Sequence, residues 1–376
     1  MSRIIGSPGR YIQEKGLLKN LTTHINEIGS HPILIVDKNI IPFVMPSIKT
    51  SLEHASLSYE TVEFSGECCM TEINRIKTII ATQGADIILG IGGGKTLDTA
   101  KAVGYFSGKP IVIVPTVASS DAPCSSLSVL YHEDGRFDRY LYLAKSPDMV
   151  LVDPEIITGA PARLLAAGMG DALSTYFEAR ACAESGAFNA FHKKPTLGAL
   201  ALAKACYETL LENGIRAMNA VKEKHCTKEV ENIIETNIYL SGIGFESGGL
   251  AAAHAIAYAL DSIPATRRFM HGEKVAFGTL AQLKLELMAA QNALDTDLQQ
   301  PGTASTTVLQ EDILVITNFC RHVGLPVSLA DMGISEITYE ELMQTAQIAC
   351  AADSTVHHMP FAVTPTDVYH VLSDML

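Results

Sequence analysis

Short aliphatic runs closed by turn residues recur through roughly the first 160 positions. Ile33-Leu34-Ile35-Val36 closes on Asp37, and Ile87-Ile88-Leu89 closes on Gly90-Ile91-Gly92. Ile111-Val112-Ile113-Val114 closes on Pro115, and Met149-Val150-Leu151-Val152 closes on Asp153. Runs this short, with no polar alternation, fit strands buried on both faces. Apolar positions at helical spacing lie between several of them, over 72–82 and 96–106. Strands alternating with helices predict a parallel sheet built from βαβ units. Residues 127–131 and 139–143 flank Glu133-Asp134-Gly135, which predicts a β-hairpin inserted into this α/β domain.

The pattern changes after Pro161. Alanine, leucine and glutamate dominate and the apolar spacing becomes helical throughout. Helices are expected over 163–184, 195–213, 228–246, 249–260, 272–289, 309–323, 338–351 and 365–375. The chain therefore reads as two domains, an α/β domain over 1–160 and an all-helical domain over 161–376. The stretch 295–307, rich in Gln, Thr, Ser, Pro and Gly, reads as an exposed loop.

Composition narrows the function classes. Of 376 residues, 47% are hydrophobic and 18% charged, so the chain can bury a large core and disorder is excluded as its main state. The net charge of −13 carries no basic cluster, which argues against nucleic acid and against an anionic membrane surface. No apolar stretch reaches the roughly 18 residues of a membrane span. The N-terminus shows no secretory cleavage pattern, so a cytoplasmic location is expected. The eight cysteines form no C-x-x-C pair and read as reduced, mostly buried small apolar residues.

Four places could carry chemistry. Gly90-Ile91-Gly92-Gly93-Gly94-Lys95-Thr96 follows an expected strand and opens an expected helix. Consecutive glycines let backbone N–H groups approach phosphate oxygens, and the helix N-terminus favours an anion. A tight strand–helix turn without a ligand is the plain alternative. The spacing is neither that of a P-loop, because position 89 is Leu89, nor G-x-G-x-x-G, because position 95 is Lys95. Asp37, at the end of an earlier strand, could accept hydrogen bonds from ribose hydroxyls and repel a 2′-phosphate. A turn-forming aspartate is equally compatible with that position. The loop Pro115–Pro123 follows the next strand and offers hydroxyls and one carboxylate, Asp121, where ligands of open α/β sheets bind.

The fourth is a scattered set, Asp171, His254 and His271, each in an apolar, small-residue context. Two histidines and a carboxylate suit Zn²⁺ or Fe²⁺; histidines satisfied within a core are the alternative. Glu178 reads as a solvated or paired carboxylate, and His357-His358 as structural. There is no H-E-x-x-H, and Gly244-Phe245-Glu246-Ser247-Gly248 is not a nucleophile elbow.

Taken together, Gly90–Lys101, Ser119–Val129, Gly159–Asp171, Gly242–His254 and His271–Gly278 resemble, in order, the glycerol dehydrogenases of the iron-containing (group III) alcohol dehydrogenase superfamily. The resemblance implies an α/β, Rossmann-like nucleotide-binding domain followed by an all-α domain, a dehydroquinate synthase-like architecture, with the active site in the cleft between them. It implies NAD as cofactor, a catalytic divalent metal, oxidation of glycerol and related vicinal diols to hydroxyketones, and a homo-oligomer as large as an octamer. Asp37, Gly94, Lys95, Thr116 and Ser119 match NAD contacts. Ser125, Leu127 and Tyr131 match positions beside the nicotinamide. Asp121 matches the substrate-contacting carboxylate, and Asp171, His254 and His271 match the metal ligands.

Two departures from the resemblance bear on chemistry. Iron-binding relatives place a histidine four residues after the ligand aspartate, where this chain has Thr175, which favours zinc over iron. Relatives also carry His-Asn shortly after the first ligand histidine, where this chain has Ala257 and Tyr258. A dehydroquinate-synthase-like lyase on the same architecture needs basic residues for a substrate phosphate. The Ser119–Pro123 loop offers an acid instead. Another polyol or alcohol dehydrogenase of the same superfamily is a further alternative.

Overall fold

The computed structural model describes residues 2–295 and 305–376. The loop expected over 295–307 falls largely outside them.

Two compact units form. One comprises Gly6–Leu165 and Asn219–Gly242, the other Met1–Ile5, Ala166–Met218 and Ile243–Leu376. The first contains eight strands: β1 (Tyr11–Gln13), β2 (Pro32–Asp37), β3 (Glu60–Phe64), β4 (Ile87–Gly92), β5 (Ile111–Pro115), β6 (Leu127–Tyr131), β7 (Phe137–Tyr142) and β8 (Met149–Val152). Six of these make one parallel sheet in the order β1-β8-β5-β4-β2-β3. The aliphatic runs occupy its centre. Ile87, Ile88, Leu89 and Ile91 of β4 are all fully buried, each contributing about 1.5–3 kcal/mol. β6 and β7 pair antiparallel as the expected hairpin, with an irregularity at Leu130/Tyr131.

Helices α1 (Leu21–Ile25), α2 (Ile41–His54), α3 (Met70–Gln83), α4 (Gly94–Ser107) and α5 (Pro154–Gly159) connect and cover this sheet. The chain passes from β2 outward to β3, then returns through α3 to β4 on the other side of β2. That reversal opens a crevice at the carboxyl ends of β2 and β4, where doubly wound sheets bind ligands. α4 packs tightly on the sheet. A Cβ on Gly90 would stand 2.4 Å from the Ala100 methyl, so only glycine permits this approach.

The remaining helices are α6 (Ala162–Ser185), α7 (Leu197–Lys222), α8 (Lys228–Glu235), α9 (Ser241–Gly248), α10 (Ala252–Ala259), α11 (His271–Asp295), α12 (Thr306–Val323), α13 (Tyr339–Ala349) and α14 (Pro365–Ser373). The single helix expected over 228–246 is interrupted by a π-helical turn, Thr236–Leu240. Within that turn Asn237 is fully buried, and its amide donates to the carbonyls of Ala118 and Leu165, 3.0 and 3.2 Å away. Such bonds tie Asn219–Gly242 to the α/β unit. Among the described residues no helix is long and apolar enough to cross a membrane, and the eight cysteines are free thiols, six of them buried.

Candidate functional site

The crevice at the ends of β2 and β4 is a cavity of about 260 Å³ lined by Asp37, Lys38, Asn39, Phe64, Gly66, Gly93, Gly94, Lys95 and Thr96. It joins two of the sequence candidates, Asp37 and the glycine-rich turn. Asp37 Oδ1 accepts hydrogen bonds from the Asn39 N–H and side-chain amide at 2.8 and 3.0 Å. Gly93 caps α4 without a side chain, and no acidic residue occupies the first turn. The first-turn N–H groups are therefore available to an anion. Lys95 Nζ sits 2.6 Å from Glu67 Oε2 and 4.8 Å from the centre of the Tyr131 ring. Burial, together with the nearby carboxylates Asp98 and Glu67, pushes the Tyr131 phenol up to about 12.

The other candidates of this unit form a neighbouring group. Thr116 is buried and its N–H donates to the Gly92 carbonyl at 3.0 Å. Ser119 is half-buried on the following loop. Asp121 is 9% exposed, and its Oδ2 accepts a hydrogen bond from Ser241 Oγ at 3.0 Å. Ser125 is buried and Leu127 half-buried. Lys101, fully buried on α4, organises this loop. Its Nζ donates to the Ala122 and Leu127 carbonyls, lies 3.4 Å from Ser125 Oγ and pairs with Asp98 Oδ1 at 2.9 Å. Such a buried cation is tolerable because carbonyls and a carboxylate replace its water. Sequence reasoning missed Lys101 and Glu67. The one available signal was a lysine on the expected inner face of an amphipathic helix.

The second site lies wholly in the helical unit. Asp171 is on α6, His254 on α10 and His271 at the first position of α11. Gly170 and Gly272, beside two of these residues, allow α6 and α11 to touch. A Cβ on Gly272 would stand 1.8 Å from the Ala167 carbonyl oxygen, and one on Gly170 would stand 2.3 Å from that of Gly272. Larger residues would push Asp171 and His271 apart.

One ligand atom from each of Asp171, His254 and His271 lies within 4.8 Å of the other two. The Nε2 atoms of His254 and His271 are 3.6 and 3.4 Å from Asp171 Oδ1. Ligand atoms held about 2.0–2.1 Å from a tetrahedral zinc are separated by about 3.3–3.4 Å. The donor set and its spacing therefore fit a zinc-sized ion. Asp171 and His254 are buried, while the His271 side chain is 39% exposed, which leaves one open side. Burial alone would raise the Asp171 pKa, but the His271 and His254 imidazoles outweigh it and hold the carboxyl below its usual range.

Glu178, two turns along α6 from Asp171, is not solvated: it is fully buried. Its Oε1 accepts the backbone N–H of Ala251 and of His254 at 2.8 and 2.9 Å, and its Oε2 lies 2.6 Å from His254 Nδ1. Burial opposes charge on His254, but the carboxylates of Glu178 and Asp171 prevail and raise its pKa well above the ordinary value. Tyr258, one turn after His254, places its ring 5.7 Å from the His271 ring. His357 and His358 bond to the carbonyls of Ala351 and Leu250 and belong to the scaffold. A larger open pocket of about 610 Å³ among α11, α12 and the C-terminus contains none of the residues singled out in the sequence.

The profile of the family described as "Iron-containing alcohol dehydrogenase" matches residues 8–154. A glycerol dehydrogenase of Escherichia coli O6:H1 is 47% identical over 372 residues, covering 99% of this chain and 96% of its own length. The crystal structure of a glycerol dehydrogenase from Schizosaccharomyces pombe superposes with a TM-score of 0.89 at 31% identity, covering 100% of this chain and 90% of that one. That of a probable glycerol dehydrogenase from Sinorhizobium meliloti 1021 superposes with a TM-score of 0.86 at 37% identity, covering 100% and 98%.

Proposed function

This chain belongs to the iron-containing alcohol dehydrogenase family, and from that membership we propose that it oxidises glycerol and related vicinal diols to hydroxyketones, with NAD⁺ as hydride acceptor and zinc as its metal. The observation that carries the reading is the convergence of Asp171, His254 and His271 in a chain that matches glycerol dehydrogenases along nearly its whole length. Absence of a histidine at Thr175 supports zinc over iron.

In this reading Asp171, His254 and His271 hold the metal through Oδ1 and two Nε2 atoms. The bound ion would act as a Lewis acid that eases loss of the substrate hydroxyl proton near neutral pH. Glu178 fixes the His254 tautomer by accepting from Nδ1, which presents Nε2 as the ligand atom. His271, on the exposed side, borders the direction from which a small polyol enters. Asp121 supplies a carboxylate that accepts hydrogen bonds from a neutral polyol and repels an anionic one.

The nucleotide is assigned to the crevice of the α/β unit. Gly93 and Gly94 bring backbone N–H groups to the pyrophosphate, and Lys95 adds a charge. Asp37 receives the adenosine ribose hydroxyls and disfavours a 2′-phosphate. Lys101 holds the Ser125 and Leu127 segment in place for the nicotinamide. These residues would hold and align the nucleotide, which when bound would supply the hydride acceptor. The acidic charge and the free, mostly buried cysteines support a cytoplasmic enzyme, and family resemblance supports a homo-oligomer.

The test is a panel of glycerol, 1,2-propanediol, 2,3-butanediol, simple alcohols and glycerol phosphate, assayed for NAD⁺ reduction by the zinc-loaded protein. Turnover of neutral vicinal diols well above the rest is expected. Equal use of glycerol phosphate, or no diol turnover, would contradict the proposal.

A further inference from the structure

The two histidines of the Asp171–His254–His271 set are anchored differently. His254 is buried and its Nδ1 meets the Glu178 carboxylate at 2.6 Å. His271 has no such partner: among the described residues nothing accepts a hydrogen bond from its Nδ1. Its side chain is also the exposed one. Imidazole ligands are normally held in one orientation by a hydrogen bond on the nitrogen away from the metal, and among the described residues no protein group supplies one to His271.

What lies on it is Tyr258. The two ring centroids are 5.7 Å apart with 29° between the planes, a stacked arrangement, while Tyr258 meets the His254 ring at 5.9 Å and 56°. Tyr258 is four residues after His254, so both project from the same face of α10. α10 is itself pinned by Glu178 at its first turn. The tyrosine ring therefore sits on a fixed base and bears on the exposed member of the triad. Aromatic pairs in this distance range attract one another beyond the effect of the area they bury.

Resting on the metal reading above, we infer that Tyr258 is a positioning residue for the metal centre. Its ring stacks on His271 and holds Nε2 toward Asp171 and His254, doing for His271 what Glu178 does for His254.

The experiment measures the rate at which zinc passes from the holoenzyme to a chromogenic chelator, for the wild type and for Tyr258→Ala, Tyr258→Leu, Tyr258→Phe and His271→Ala. NADH affinity and the thermal midpoint of the zinc-free protein are recorded in parallel. Tyr258→Ala and Tyr258→Leu are expected to release zinc about tenfold faster. Tyr258→Phe, which keeps the plane and loses the hydroxyl, should stay within about twofold of the wild type. Should Tyr258→Ala fail to fold, Tyr258→Leu carries the comparison. Wild-type release rates in both variants would overturn the inference, as would acceleration in Tyr258→Phe equal to that in Tyr258→Ala. A fall in the zinc-free midpoint as large as that of the zinc-loaded protein would assign the ring to the fold alone and also overturn it. Zinc held at wild-type affinity by His271→Ala would instead sink the metal site itself, which separates the two failures.

Discussion

Glu178 Oε2 stands 2.6 Å from His254 Nδ1, and its other oxygen accepts the N–H of the same histidine's backbone at 2.9 Å. One carboxylate thus fixes both the ring and the main chain of a metal-ligand candidate. Glu178→Gln keeps the size and the backbone contacts but removes the charge beside the imidazole. Zinc affinity, measured by competition with a chelator of known strength, should fall about 10- to 100-fold. Unchanged affinity would reduce Glu178 to a structural cap.

Lys95 is engaged with Glu67 at 2.6 Å, at the mouth of the glycine-rich crevice. A pyrophosphate placed there competes with Glu67 for the same ammonium. Glu67→Gln should raise NADH affinity about two- to fivefold at low ionic strength, with the gain shrinking as salt is added. A titration of NADH fluorescence decides it. Weaker binding in the variant would mean that Glu67 itself contacts the nucleotide or shapes the crevice.

Asp121 is nearly buried and is held by Ser241 at 3.0 Å. Asp121→Asn preserves its volume and most of its hydrogen bonding. Steady-state kinetics should show glycerol turnover reduced at least about tenfold with NAD⁺ affinity little changed, in keeping with loss of one charged hydrogen-bonding group. Unaltered glycerol kinetics would remove Asp121 from the substrate's surroundings.

Arg180 is the cation among three carboxyl groups of the helical unit. It pairs with Glu286, whose pKa burial pushes up to about 6 despite the arginine, and burial raises Glu184 and Asp312 as well. These groups hold protons in the folded chain at pH values where the unfolded chain has lost them. The contribution of Glu286 to stability therefore declines as pH rises from the ordinary glutamate value of 4.5 through about 6. Arg180→Leu should cost about 3 kcal/mol at neutral pH and clearly less at pH ~4.5, where Glu286 is protonated. Thermal midpoints at the two pH values provide the check, and equal losses would contradict the assignment.

The central strands were legible because β2, β4, β5 and β8 are uninterrupted aliphatic runs. β3 was not, since Glu60-Thr61-Val62-Glu63-Phe64 alternates with charges, and β1 contributes only Tyr11-Ile12-Gln13. α2 starts on Ile41-Pro42 and carries Pro46 inside, a pattern that reads as a break. The glycine-rich turn and Asp37 could be picked out from residue type and order, whereas the metal reading of the Asp171–His254–His271 set came from the family resemblance. Glu67, Lys101 and Glu178 could not, because their roles arise from partners 28, 26 and 76 residues away. The attachment of Asn219–Gly242 to the α/β unit was hidden for the same reason: Asn237 reaches Ala118 across 119 positions.

Diol oxidation is proposed to depend on an ion held by Asp171, His254 and His271. That dependence is tested most directly by stripping the protein of metal, returning zinc stepwise and following glycerol-dependent NAD⁺ reduction together with bound zinc, for the wild type and His254→Ala. Wild-type turnover should rise in step with bound zinc and level off when each chain holds a single ion. His254→Ala should neither retain zinc nor turn over, while still binding NADH. Full turnover by the stripped wild type, or a His254→Ala protein that binds zinc and oxidises glycerol at the wild-type rate, would contradict it.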